Sequence, residues 1–179
     1  MARYVALLRG INVSGRSIIP MADLKRVAVD LGHDEVSTYI QTGNVLFTAE
    51  KGDEAELGRS LEAAVRERFG HDVTVMVRTP AELDAVIAGN PFLDRQDDLT
   101  KLLVTFLSEP PAAKAVTAIE SWSRSNDEAV VRGRDVYLHT PDGYGRSKLT
   151  NPDVERVLGV PGTTRNWKSV LKLRELLGD

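Results

Sequence analysis

Four short polar segments contain the residues of this chain that are best suited to bind an anion. They hold six of its 23 Lys and Arg residues and none of its 26 Asp and Glu residues. Cations gathered in glycine-rich segments of an otherwise acidic protein are typical of a site for a phosphate-bearing ligand. The segments are Arg9–Arg16, Tyr39–Asn44, Gly143–Lys148 and Thr163–Lys168.

Cations also lie beside the starts of helices predicted at Pro20, Asn151 and Asn166. A helix N-terminus carries partial positive charge, so an exposed cation there costs roughly 0.3–1 kcal/mol. An anion bound at the helix end would offset that cost. Alternatively, these long side chains reach solvent and the arrangement costs almost nothing.

We predict an anion-binding surface built from guanidinium, ammonium, amide and hydroxyl groups, the usual partners of a phosphate. Two of its members, Gln41 and Asn44, have an alternative role in closing a β-hairpin. The predicted ligand-binding residues are Arg9, Asn12, Arg16, Gln41, Asn44, Tyr144, Arg146, Ser147, Lys148, Arg165 and Asn166.

The segment from Gly10 to Ser17 has the glycine spacing of a phosphate-cradling P-loop, with Arg16 where that motif requires lysine. In a P-loop the helix begins at the lysine, whereas Ile18 and Ile19 intervene here before Pro20. The sequence also lacks an apolar strand ending in the aspartate that would hold magnesium. The segment is therefore predicted to be a turn, or a backbone approach to some other anion.

Three functions are compatible with these residues. The leading hypothesis is a binding module for a nucleotide, a nucleic acid or a phosphorylated metabolite. The second is a metal-independent enzyme acting on such a ligand, with arginines stabilising charge and Ser147, Tyr144 or His139 taking part in the chemistry. The third is a structural or oligomerising protein.

Composition limits which cofactors the protein is expected to bind and where in the cell it is expected to lie. The chain has no cysteine, which excludes disulfides and Cys-ligated metals. His33 and His71 are predicted to be surface residues, and the histidines lack metal-ligand spacing, so we expect no metal and no cofactor. We expect a cytoplasmic location and no membrane partner, because no segment is long enough to span a bilayer. With a net charge of −3, any nucleic-acid contact must be local.

The first half of the chain alternates strand and helix signals. A continuous apolar run, Val5–Leu8, predicts a strand buried on both faces. A helix from Pro20, a hairpin turned at Thr42–Asn44, a helix from Asp53 and a strand at Val73–Val77 follow. This order, βαββαβ, is that of a ferredoxin-like unit.

The second half repeats much of that order, without a visible residue-level repeat. A strand, a helix and a hairpin are followed by two helices, and the last carries Trp167, expected in the core. We therefore predict an α+β fold of two ferredoxin-like halves, the second an incomplete βαββ unit with extra C-terminal helices. The predicted domains are 1–92 and 93–179, joined through the polar segment 93–100.

Topology brings two of the polar segments together. In a βαββ arrangement the loop after the first strand and the hairpin tip at Thr42–Asn44 share one end of the sheet. The loop after the strand Val136–Leu138 leaves the opposite end of its own half. Convergence of all four segments therefore depends on the relative orientation of the halves.

Five stretches of the chain form a set of motifs in a fixed order: Leu7–Val13, Tyr39–Val45, Asn90–Phe92, Gly145–Leu149 and Thr164–Trp167. They resemble the motifs of a bacterial family, the domain of unknown function 1697. The resemblance extends over nearly the whole chain, in the order of the family's motifs. It implies an α+β architecture built from ferredoxin-like units, and no activity, cofactor or catalytic residue.

Overall fold

The first half of the chain folds around a four-stranded antiparallel sheet with the strand order β2-β3-β1-β4. This is the order of a ferredoxin-like unit, as the alternating strand and helix signals predict. It is seen in a computed structural model that describes residues 1–178. The elements are β1 (Ala2–Leu8), α1 (Met21–Asp30), β2 (Asp34–Tyr39), β3 (Asn44–Ala49), α2 (Glu54–Phe69), β4 (Val75–Arg78) and α3 (Pro80–Ala88).

Strand β1 is buried on both faces, which confirms the prediction from its continuous apolar run. Tyr4, Ala6 and Leu8 belong to the cluster that includes the apolar stripes of α1 and α2. On the opposite face, Val5 and Leu7 are also inaccessible to solvent. Because both faces of β1 are covered, we expect a binding surface of this unit in the loops at the ends of its sheet.

The second half forms a complete ferredoxin-like sheet, with the strand order β6-β7-β5-β8. The sequence predicts an incomplete unit, and the structure adds the fourth strand, β8. Its sequence, Gly-Thr-Thr-Arg-Asn, hides the strand because the buried positions hold polar residues, Thr163 and Arg165. The elements are β5 (Leu102–Leu107), α4 (Ala113–Glu120), β6 (Glu128–Arg132), β7 (Asp135–His139), α5 (Asn151–Leu158), β8 (Gly162–Asn166) and α6 (Trp167–Leu177).

The chain divides into two compact units. Unit 1 comprises residues 1–83 with the chain from Leu173 onward, and unit 2 comprises Asp84–Lys172. The division falls within α3, whereas the sequence places it after Phe92. No helix of the described chain is long and apolar enough to cross a membrane.

The two units repeat each other in hydrogen-bond register. Arg78 lies opposite Val5 in unit 1, as Arg165 lies opposite Val104 in unit 2. Each guanidinium donates to the carbonyl of the preceding residue, at 3.1 Å in both cases. A capping residue and a helix follow each arginine. The two units therefore repeat each other at these positions, although their sequences show no residue-level repeat.

The connections between the elements differ in length. From the first strand to the first helix, unit 1 uses residues 9–20 and unit 2 only 108–112. The hairpin loops are 40–43 and 133–134. At the other end of the sheet the relation reverses, since unit 1 joins its third strand to its second helix with 50–53 and unit 2 with 140–150. Each unit therefore lengthens connections at only one end of its sheet, and the ends are opposite.

Candidate anion-binding site

The long connection of unit 1 folds as a miniature hairpin. Arg16 N donates to Val13 O at 2.9 Å, and Asn12 N donates to Ser17 O at 3.1 Å. The two residues at the turn, Ser14 and Gly15, both have positive φ, 51° and 73°. Positive φ at both central residues is the signature of a type I′ turn. The glycine spacing that imitates a P-loop therefore serves a turn.

The side chain of Asn12 holds this hairpin in place. Its Nδ2 donates to Ile19 O at 3.0 Å and to Gln41 O at 2.9 Å. Its Oδ1 accepts from Ile19 N at 2.8 Å. The predicted ligand-binding amide is thus engaged by backbone groups, and it fixes the loop onto the β2–β3 hairpin.

The tip of the β2–β3 hairpin packs directly against the long connection. Leu8 N donates to Gly43 O at 2.9 Å. A Cβ at Gly43 would lie 2.8 Å from two Ile11 side-chain atoms, and the residue has φ of 90°. Glycine is required here on both counts. The contact confirms that the loop after β1 and the hairpin tip share an end, and we call residues 9–19 with 40–43 the unit 1 tip.

The outer surface of the unit 1 tip is both basic and apolar. Arg9 and Arg16 are exposed. Three aliphatic side chains also project into solvent, with exposed fractions of 53% for Val13, 64% for Ile18 and 46% for Ile40. No Asp or Glu occurs in residues 9–22 or 36–49. The unit 1 tip thus offers positive charge beside apolar surface.

Asn44 lies beneath the tip. It is fully buried. Its Nδ2 donates to Tyr39 O at 2.9 Å and to Thr42 Oγ1 at 3.1 Å. These bonds are those of a hairpin closure, the alternative role that the sequence leaves open, while the side chain of Gln41 is exposed.

The long connection of unit 2 turns its polar groups inward. Tyr144 Oη accepts from Asn151 N at 3.0 Å, and burial raises the pKa of this phenol above its ordinary value. Ser147 is 9% exposed, and its Oγ accepts from Leu149 N at 2.9 Å. The side chains of Asp142, Arg146 and Lys148 face solvent. Tyr144 and Ser147, two of the predicted site residues, therefore stabilise the connection from within.

Asp127 anchors the same connection from the adjoining loop. Its Oδ2 accepts from Lys148 N at 2.8 Å and from Ser125 Oγ at 2.5 Å. The carboxylate therefore places negative charge beside the backbone of Lys148. An acid in this position makes the unit 2 connection a poorer anion site than the acid-free unit 1 tip.

Arg165 and Asn166 have structural roles within unit 2. Arg165 is 6% exposed, its guanidinium donates to Thr163 Oγ1 at 2.5 Å, and burial lowers its pKa to about 10. Asn166 Oδ1 accepts from Ser169 N at 2.8 Å and so caps α6. The sequence predicts the start of this helix at Asn166, and Trp167 is buried as expected.

A polar cluster around His139 is not predicted from sequence. His139 Nδ1 lies 3.2 Å from Glu128 Oε1, and its Nε2 lies 3.0 Å from Gln96 Nε2. Gln96 Oε1 accepts from Asp98 N, which directs its NH2 group toward the imidazole. This geometry matches the tautomer of His139 that carries its hydrogen on Nδ1 and accepts at Nε2. Arg95 completes the cluster by pairing with Glu128 at 2.9 Å and lowers the pKa of that carboxyl.

This cluster ties down the segment that the sequence treats as a linker. The signal that was available is the charge pairing of Arg95 with Glu128, but the residues are 33 positions apart. The β6–β7 register places His139 beside Glu128, but Arg95 lies outside both strands, so no local pattern pairs it with Glu128. His33 is also placed differently from the prediction, since its ring stacks on Phe47 with 4.5 Å between centroids.

A cleft of about 360 Å³ in unit 2 lies beside the edge strand β6. Its walls include Glu120, Asp127 and Glu128, together with Trp122. Carboxylates repel an anionic ligand, so the cleft does not extend the predicted site.

The predicted site residues thus form two groups, each at one end of its own sheet. The unit 1 group is Arg9, Asn12, Arg16, Gln41 and Asn44, and the unit 2 loop group is Tyr144, Arg146, Ser147 and Lys148. The remaining two, Arg165 and Asn166, lie within β8. Convergence of the two groups on one ligand stays a prediction.

Taken together, the chain is an α+β protein of two tandem ferredoxin-like units. Residues 1–137 match the family model described as "Protein of unknown function (DUF1697)". The chain belongs to this family, as its motifs indicate. Its structure is similar to that of conserved bacterial protein SP0830 from Streptococcus pneumoniae, with a TM-score of 0.75, 24% identity and 98% of each chain covered. At that identity the likeness concerns the fold alone. No curated protein matches the sequence.

Proposed function

We propose that the protein is a binding module for a phosphate-bearing ligand and that the ligand is held at the unit 1 tip. The observation that carries the proposal is internal to the molecule. Unit 2 joins its first strand to its first helix with residues 108–112, whereas unit 1 uses residues 9–20. The fold does not need the longer connection, so its exposed arginines and acid-free surface are there for another reason.

Charge and geometry favour an anion at this surface. Arginine presents a planar fork of donors that matches the oxygens of a phosphate. Arg16 lies on the turn of the miniature hairpin, and the guanidinium has no ion pair within the described chain. The exposed side chain of Gln41 adds a donor on the facing hairpin.

The unit 1 tip is also organised before any ligand arrives. Asn12 joins the two loops through its bonds to Ile19 and Gln41, and the contact of Gly43 with Ile11 leaves no gap between them. Loops fixed in this way lose less conformational entropy on binding than free loops. Weak individual contacts then suffice for measurable affinity.

Binding is favoured over catalysis by the state of the chemical candidates. Ser147 is buried and its Oγ accepts from a backbone amide. Tyr144 accepts from another amide, and both ring nitrogens of His139 are engaged. A nucleophile or general base must reach a substrate, and these groups face inward.

The test is thermal protection by pyrophosphate, followed by titration calorimetry. The unchanged protein should gain thermal stability with pyrophosphate concentration. Arg16→Ala should weaken the apparent affinity by about tenfold, the usual scale for one charge-assisted contact. Arg26→Ala, which removes an exposed arginine from α1, is the matched control and should leave affinity unchanged. Equal affinity in both variants would remove the unit 1 tip as the site.

A further inference from the structure

The apolar half of the unit 1 tip indicates what kind of phosphate-bearing partner it meets. Resting on the proposed function, we propose that this partner is the surface of a membrane containing anionic lipids, into which the tip inserts peripherally. The sequence led us to expect no membrane partner because no segment can span one. Attachment to a surface requires no spanning segment.

The side chains that project from the tip are suited to the interface of a bilayer. Val13, Ile18 and Ile40 are about half exposed or more, and they come from both loops. Arg9 and Arg16 lie on the same connection as Val13 and Ile18. Aliphatic groups that enter the acyl boundary beside cations that meet lipid phosphates are the pattern of peripheral membrane binding.

Part of the backbone of the tip is already hydrogen-bonded within the tip and can leave water at little cost. Polar groups cost free energy when they leave water without a hydrogen-bond partner. Here Asn12 N, Arg16 N and Ile19 N all donate within the tip. The carbonyls of Val13, Ser17, Ile19 and Gln41 each accept one of these internal bonds.

Ile40 gives a second indication that exposure is functional. It is a β-branched residue with φ of 46°, in the left-handed region that such side chains avoid. Asparagine or glycine would adopt this conformation with less strain. An apolar side chain kept both strained and exposed makes sense where it is used for contact.

Other occupants fit less well. Single-stranded nucleic acid is usually held by bases stacked on aromatic rings. None of the exposed large apolar side chains in the described chain is aromatic. A second copy of this chain would bring like-charged arginines face to face, so the positive charge favours an anionic surface over self-association.

The experiment is co-sedimentation with lipid vesicles at low and at physiological salt. Vesicles of phosphatidylcholine with phosphatidylserine should bind the protein, and vesicles of phosphatidylcholine alone should bind it far more weakly. Ile18→Ser should lower binding by roughly tenfold, since an exposed side chain that inserts loses its buried apolar area. Val29→Ser is the control, because Val29 is 49% exposed on α1 and away from the tip.

Ile40→Asn separates binding from folding. It should raise the unfolding temperature by relieving backbone strain, and it should lower vesicle binding. A folding defect cannot produce that combination. If vesicle binding is unaffected by both tip substitutions, the inference is overturned.

The remaining outcomes distinguish this inference from the proposed function. If pyrophosphate protects the protein in a way that depends on Arg16, and the protein sediments with no vesicle, the membrane proposal is overturned and the anion site is supported. If a single-stranded oligonucleotide binds in a way that depends on Arg16, and vesicles do not bind, the membrane proposal is overturned and nucleic acid is the ligand. If vesicle binding is the same with neutral and anionic lipid and is unchanged by Arg16→Ala, the anion site itself is contradicted.

Discussion

The two units share a topology and a register but lengthen opposite ends of their sheets. In unit 1 the extra residues lie after the first strand and at the hairpin tip, and in unit 2 they lie before the second strand and after the third. Since one unit manages each connection with fewer residues, neither extension is required to close the fold. The extensions are therefore the places where the two units differ most in structure.

The two extensions also differ in which way they face. The unit 1 tip binds its own backbone and turns cations and aliphatic side chains outward. The unit 2 connection turns Tyr144 and Ser147 inward and rests on the carboxylate of Asp127. We therefore interpret the first as a surface for a partner and the second as internal support. Substitutions at matching features of the two extensions test this difference.

The largest effect is expected from alanine at the glycines of the two extensions. Gly43 and Gly143 have nearly equal positive φ, 90° and 88°. A Cβ at Gly43 would meet Ile11 and Leu8, whereas nothing lies within 4 Å of one at Gly143. Gly43→Ala should thus lower the free energy of unfolding by about 2–4 kcal/mol and Gly143→Ala by about 1 kcal/mol. Urea unfolding measures both, and equal losses would mean that the packing of the unit 1 tip contributes nothing.

The next effect comes from the asparagines that secure each extension. Asn12 bonds Ile19 and Gln41, and Asn151 donates to Gly162 O at 3.0 Å and accepts from Thr164 Oγ1 at 2.8 Å. Alanine at either position should cost about 1–3 kcal/mol of stability, because partly buried partners lose their bonds.

Ligand binding should separate the two asparagine variants. Asn12→Ala should also weaken pyrophosphate protection, because it frees the loop that carries Arg16. Asn151→Ala should leave that protection intact after correction for stability. A loss of protection in the Asn151 variant would show that unit 2 contributes to the site.

The sequence predicts the fold best where apolar residues keep a clear period. The run from Val5 to Leu8 predicts a strand covered on both faces, and Asp53 predicts the start of α2, where the structure shows its side chain capping the helix. Strand β8 escapes because its inward positions hold Thr163 and Arg165. Arg165, one of the two residues that hide the strand, is also among the predicted ligand-binding residues.

The long connections can be located from the sequence, but the hydrogen-bond partners of their side chains cannot. Acid-free glycine segments lie in both extensions, and ligand binding at either one stays a prediction. However, Asn12 and Asn44 have amides that suit a ligand and a backbone carbonyl equally well, and only the register decides between them. The cluster of Arg95, Glu128 and His139 joins distant positions, so no local pattern contains it.

The smallest effect expected is a pH dependence that arises in unit 1. His33 stacks on Phe47, and its Nε2 is buried without a hydrogen-bond partner in the described chain. Burial lowers its pKa below the ordinary value of 6.5, with Asp34 opposing in part. In unit 2 the register places Leu138 at the position of Phe47, and no imidazole stacks there.

The sign of this effect follows from the direction of the shift. Above pH 6.5 His33 is neutral in both the folded and the unfolded chain, so its contribution to stability is fully present. As the pH falls below 6.5 the unfolded chain takes up the proton first, and stability is lost until the folded imidazole also titrates. His33→Phe should remove this part of the acid destabilisation, as measured by urea unfolding between pH 5 and pH 8. Hydrogen exchange at pH 5 should show the amides of α1 and β3 opening more readily in the unchanged protein than in the variant, while those of α4 and β7 do not differ. Equal profiles of unfolding free energy against pH for the two proteins would mean that protonating the buried ring of His33 costs no free energy. The two units would then differ in their extensions alone.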